Sequence, residues 1–146
     1  MTPAERAVRA LFDTWAAGDY TPMGDLLTDG FVDHGAPPGL VPPGPDGYIA
    51  TLRFITDVLE IRYEVHQIVA SGDHVALFAT AHGVHNSDHL GFAATGKPYA
   101  MPTMHLFRAD GGRLAEHWGV RDELSVLWQV GALPQPPLPQ LEIING

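Results

Sequence analysis

The stretch RLAEHWGVRDELSVLWQVG, Arg113–Gly131, decides how this chain folds. Its first half reads as a β-strand, in which alternate side chains point to opposite faces. Ala115, His117 and Gly119 therefore share one face, and Glu116, Trp118 and Val120 the other. From Asp122 the period changes to that of a helix, through Leu124, Leu127 and Trp128. Asp122 stands where an N-cap is wanted, and Gly131 where the helix must stop. The junction between the two elements gathers a histidine, a tryptophan, a glycine and an aspartate, which makes it a candidate pocket floor.

Working outward, Asp110-Gly111-Gly112 has the composition of a hairpin turn. It predicts that the strand Tyr99–Ala109 lies antiparallel to Arg113–Val120. Met101, Thr103, His105 and Phe107 then share a face, and His105 and His117 become near neighbours across the two strands. Further upstream, His74–His85 is predicted as another strand. Ser71-Gly72-Asp73 joins it to a segment from Arg62 in which Tyr63, Val65, Gln67 and Val69 alternate with Arg62, Glu64, His66 and Ile68. Helices precede these strands. Thr2-Pro3-Ala4-Glu5 combines a cap, a proline at the first turn and a capping box, and Val8, Leu11, Phe12 and Trp15 recur at helical spacing. Thr21-Pro22 opens a short second helix through Leu26 and Leu27, and Phe31-Val32-Asp33-His34 leaves it as a short strand. Residues 35–47, GAPPGLVPPGPDG, are too rich in proline and glycine for a regular element. Tyr48, Leu52, Ile55 and Leu59 mark a third helix.

Helices first and a run of antiparallel strands after them predict an α+β domain. Its form is a cone-shaped curved antiparallel sheet, with the N-terminal helices enclosing a pocket suited to a ligand. The domain is expected over residues 1–131, with a proline-rich C-terminal tail over 132–146. The chain has 146 residues, a size that suits one domain with a real core. Its formal charge of −9, with only 8 basic residues, argues against nucleic acid or an anionic membrane as partner. No apolar run reaches the ~18 residues of a membrane span. The absence of cysteine removes disulfides and thiolate chemistry. With no leader-like N-terminus, a cytoplasmic location is expected.

Two imidazoles in one apolar cavity would push each other's pKa down. One of the pair His105 and His117 would then stay neutral and serve as a base near pH 7; the alternative is a buried pair that only shapes the cavity. Asp122 is a further acid/base candidate, set against its role as a helix cap. Tyr48, Tyr63 and Tyr99 are possible oxyanion donors, while Trp15, Phe12 and Trp118 are expected in the core or the pocket wall. His82, His85 and His89 invite a metal reading. Strand geometry sends His82 and His85 to opposite faces, and the spacing matches no metal motif, so no metal is expected.

The helical start, Phe31–His34, GFAATGKPY (Gly91–Tyr99), MHLFRADGGRLAEHW (Met104–Trp118) and the terminal LWQVG together resemble the SnoaL-like polyketide cyclases. These sit in the nuclear-transport-factor-two-like superfamily, with ketosteroid isomerases and limonene-epoxide hydrolases. The resemblance implies cofactor-free aldol closure of an aromatic polyketide ester by an acid/base side chain near the pocket floor. His105 and His117 match pocket histidines of that group, but where the relatives carry the catalytic aspartate this chain has Gly119. The superfamily also places the mouth of the pocket near His34, so His34 is a candidate replacement base, with Asp33 orienting it. The expected catalytic set is therefore His117, His34 and Asp122. The expected substrate-binding set is His105, Thr103, Trp118, Trp15, Phe12, Met101, Tyr48 and Gly119, with Gly119 leaving room in the floor. Expected partners are a small, largely apolar, oxygenated substrate and further copies of the chain, as a homodimer through the sheet or a higher oligomer. Cyclisation or isomerisation is the expected reaction. Water activation as in the epoxide hydrolases is one alternative, and a non-catalytic binding or oligomerisation module is the other.

Overall fold

The computed structural model describes residues 1–36, 39–88, 90–137 and 139. Helix α1 (Pro3–Ala17) begins as its sequence dictates: Thr2 Oγ1 accepts the Glu5 N–H at 3.0 Å, and Gly18 ends it with φ of 71°. Its apolar stripe, Ala4, Ala7, Val8, Leu11 and Trp15, is buried against the sheet. A single turn, α2 (Met23–Leu26), leads without a loop into β1 (Leu27–Asp33). Leu27, expected on the helix, is already extended and wholly buried, so the strand starts four residues earlier than the sequence suggested. Helix α3 (Pro45–Asp57) follows, then β2 (Arg62–Ser71), β3 (His74–Val84), β4 (Pro98–Asp110), β5 (Arg113–Arg121) and α4 (Glu123–Gln129).

The five strands form one curved, unclosed sheet in the order β1-β5-β4-β3-β2. The successive pairs β2–β3, β3–β4 and β4–β5 are antiparallel. The β4–β5 turn consists of Gly111 and Gly112 with φ of 58° and 80°, and a two-residue hairpin turn with both φ positive suits glycine. β1 departs from the all-antiparallel expectation and pairs in parallel with β5, setting Asp33 opposite His117. No short turn joins these two strands. The intervening helix and strands provide the long connection that a parallel pair needs.

In β2 the alternation read from the sequence breaks. The register shifts between Val65 and Gln67, a one-residue bulge. One extra residue reverses the parity of everything after it. Tyr63 therefore faces inward together with Ile68 and Ala70, while Val69 turns out to solvent at 57% exposure. Two apolar clusters result. One lies under α1 around Leu11, Phe31 and Phe107, and the other joins Leu59, Ile61, Tyr99 and Met101 to Val126 of α4. Most of the proline-rich tail, Leu138 and 140–146, lies outside the described residues. No helix among them is long and apolar enough to cross a membrane.

Candidate active site

The paired strands β1, β5 and β4 assemble a line of polar side chains within the fold. His117 and His105 are both buried, and their rings meet with His105 Nδ1 2.9 Å from His117 Nε2. Asp33 Oδ1 lies 2.7 Å from His117 Nδ1. At the other end His105 Nε2 is 3.0 Å from Thr103 Oγ1, whose hydroxyl donates to the Ala79 carbonyl at 2.9 Å. Proton accounting fixes the direction of this chain. The Thr103 hydrogen is committed to Ala79, so Thr103 accepts from His105 Nε2–H. Neutral His105 then offers only a lone pair at Nδ1, which accepts His117 Nε2–H. Asp33 is the remaining acceptor, and His117 Nδ1–H donates to it, so both ring nitrogens of His117 donate. Asp33 Oδ1 also accepts the Gly35 N–H at 2.9 Å.

Burial raises the Asp33 carboxyl, but the hydrogen bond and charge of His117, with the Gly35 N–H and the Arg121 charge, together hold the group below its usual value. His105 is pushed down to about 3, chiefly by burial and then by the charge on His117. Burial, followed by the Asp33 charge, raises the Tyr48 hydroxyl well above the tyrosine range. The Tyr48 ring packs on Phe31 and on His117, with centroids at 4.7 and 5.5 Å.

A cavity of about 500 Å³ opens beside this line, between α3, α4 and the ends of β4 and β5. Most of its wall is apolar. Asp33, Arg121, Tyr63 and Tyr99 are polar groups that reach it, together with Glu123 on the rim helix. The two histidines stand behind Asp33 and do not line it. Arg121 extends the inward series His117, Gly119, Arg121 along β5, so strand alternation alone could have placed it. Likewise Phe31 is buried, which puts Asp33 on the inward face and His34 on the outward one.

Of the expected site residues, His117, His105 and Thr103 come together in the line, and Met101 lines the cavity. Phe12 packs edge-on against His105, with centroids 6.2 Å apart. Phe12 and Trp15 border a second hollow of about 390 Å³ beside α1. Trp15 Nε1 donates to Thr56 Oγ1 at 2.7 Å and to the Leu52 carbonyl at 3.2 Å. His34 and Trp118 are on the other side of the sheet, because the same alternation that brings Asp33 and His117 in sends them out. They stack with centroids 4.7 Å apart, and His34 Nε2 lies 3.0 Å from Glu116 Oε1. Asp122 caps α4, accepting the Ser125 N–H at 3.1 Å, and is exposed. The room expected at Gly119 is already filled. A Cβ there would meet His117 Cε1 at 3.1 Å, His117 Nε2 at 3.3 Å and His105 Nδ1 at 3.4 Å. His85 is wholly buried with Nδ1 on Thr95, and His82 faces Glu64. His89 lies outside the described residues, among which no cluster of three metal-binding side chains occurs.

The family model described as SnoaL-like polyketide cyclase matches residues 5–130. Among solved structures, IdmH of Streptomyces antibioticus, provisionally described as a polyketide cyclase, is 26% identical. The match covers 88% of this chain and 98% of that one, with a TM-score of 0.74. A SnoaL-like polyketide cyclase of Agrobacterium tumefaciens superposes with a TM-score of 0.77 at 17% identity, covering 90% and 100% of the two chains. AclR of Streptomyces galilaeus, provisionally described as a hydroxylase, gives 0.72 at 20% identity over 92% and 88%. No curated protein matches the chain. The family match takes in every element from α1 to α4, and the chain belongs to the SnoaL-like polyketide cyclase family.

Proposed function

We propose that the protein catalyses cofactor-free proton transfer, an aldol-type cyclisation or an isomerisation, on an apolar, oxygenated, polyketide-like molecule, with Asp33 as acid and base. The observation that carries this reading is a carboxylate at the wall of an apolar cavity with a histidine 2.7 Å behind it. Asp33 Oδ1 is engaged by His117 and Gly35. Oδ2 makes no hydrogen bond among the described residues and is left for a substrate. The aspartate that the relatives carry on β5 is Gly119 here, and Asp33 on the neighbouring strand takes over its task. His117 is a positioning residue, and His105 and Thr103 hold it.

A carboxylate below its usual pKa is ionised at neutral pH but is a weak base, so its proton must come from an acidified carbon, such as one between two carbonyls. Asp33 removes that proton, and the enolate carbon forms a bond to a second carbonyl carbon of the same molecule. The alkoxide that results takes the proton back from Asp33. Deuterium exchange at C2 of an aromatic β-keto ester, followed by NMR above the buffer rate, tests the first step. Asp33→Asn is expected to lower it by about 100-fold or more; an unaffected rate would remove Asp33 from the mechanism. A carboxylate and an arginine on one wall also suit activation of a water molecule. Turnover of an epoxide without exchange on the keto ester would favour that second reading.

We also propose a homodimer formed through the outer face of the sheet. Phe78, Met104, Leu106 and Val120 expose apolar side chains there, up to 69% for Val120. An apolar patch of this kind on a curved sheet favours self-association. Light scattering on the eluting protein reads the mass directly, and a monomer at micromolar concentration would refute it.

A further inference from the structure

One cation at the wall of the cavity has no ion pair among the described residues. Asp33 is held by His117 at 2.7 Å. Arg121 is that cation. Its side chain is half-buried at the wall of the apolar cavity, yet among the described residues it makes no ion pair within 4.0 Å. Charges drawn away from water are normally paired, because desolvation is costly. The Arg121 guanidinium instead comes up against the Tyr63 hydroxyl. Arginine has donors only, so Tyr63 accepts from it and keeps its own O–H for another acceptor. Tyr63 also lines the cavity. Two donors, one of them cationic, thus line the same cavity as Asp33.

From this we infer that Arg121 and Tyr63 form an anion anchor, and that the ligand of this cavity is a largely apolar molecule carrying one negative charge when it binds, as a carboxylate or an ionised acidic enol. An anion gives the Arg121 guanidinium the charged partner that it lacks among the described residues, whereas a neutral ligand leaves it without one beside apolar walls. The inference rests on the proposed use of this cavity and adds the class of molecule it takes.

Isothermal titration of the full chain at pH 7.5 with 2-naphthoate and with neutral, nearly isosteric 2-naphthamide tests it. Wild type should bind the carboxylate about 10-fold or more tightly than the amide, as a charge-assisted hydrogen bond implies. Arg121→Gln should abolish that ratio while leaving amide affinity within about twofold, and Arg121→Lys should keep part of it. Equal binding of both probes by wild type, binding of neither, or a ratio that survives Arg121→Gln would overturn the anchor. The wild-type ratio stands even if a variant fails to fold. Asp33→Asn should retain the ratio while losing proton exchange, so failure of the anchor and failure of the Asp33 assignment read out separately.

Discussion

Replacing His105 by asparagine should flatten the acid side of the stability curve. The side chain is 6% exposed and sits between Thr103, His117 and the edge of Phe12. Burial and the adjacent His117 charge move it from 6.5 to about 3. Between those two values the unfolded chain binds a proton that the folded chain refuses. Stability therefore falls as pH drops through 6.5, and it keeps falling until the folded protein protonates near 3. The slope from this one group approaches about 1.4 kcal/mol per pH unit. Going from pH 6.5 to 4.5 then costs roughly 2–3 kcal/mol, or a Tm shift of about 5–10 °C for a chain of this size. Asparagine offers His117 Nε2–H an acceptor near the Nδ1 position but has no proton to gain. His105→Asn should thus be less stable than wild type at pH 7.5, by about 1–3 kcal/mol for the lost ring and the unsatisfied Thr103. The gap should narrow or close by pH 4.5. Urea unfolding of both proteins at equal concentration, in steps from pH 7.5 to 4.5, measures this, because the other histidines titrate in both and cancel in the difference. Parallel curves would refute the claim that His105 is held neutral by its surroundings.

Gly119→Ala should destabilise the protein by about 1–3 kcal/mol, since its Cβ would press on two hydrogen-bonded imidazoles that have little room to move. Unfolding midpoints check this, and a neutral or stabilising effect would mean that the His105–His117 contact gives way easily. His34→Ala, on the outer face, should leave proton exchange on the β-keto ester within about twofold of wild type and change stability by less than about 0.5 kcal/mol. A loss comparable to that of Asp33→Asn would put His34 back in the chemistry. Asp122→Ala should cost about 1 kcal/mol through loss of its cap on α4, with exchange unchanged. Thermal melts and the same exchange assay separate those two effects.

Local signals carried most of the architecture. The Thr2 cap, the Gly18 stop, the glycine turns at 72 and 111–112 and the Asp122 cap all act within a few residues, and each appears where its chemistry requires. Alternation along β4 and β5 likewise set His105 and His117 on one face, and the antiparallel hairpin made them neighbours. Three things lay beyond that reach. The bulge at Val65–Gln67 reverses the faces of β2, and nothing in an alternating run announces one unpaired residue. The parallel pairing of β1 with β5 joins segments more than 80 residues apart and sets Asp33 against His117, while alternation from buried Phe31 sends His34 to the outer face. Finally, Gly119 read as empty space because a sequence lists only the missing side chain. The folded chain fills that space with two imidazoles, and a carboxylate, Asp33, meets them from the adjacent strand. Turns, caps and periodicity are short-range and written in residue types. Which carboxylate faces the cavity, and which cation lines it without an ion pair among the described residues, depends on strand pairings between distant segments, and only the tertiary structure decides those.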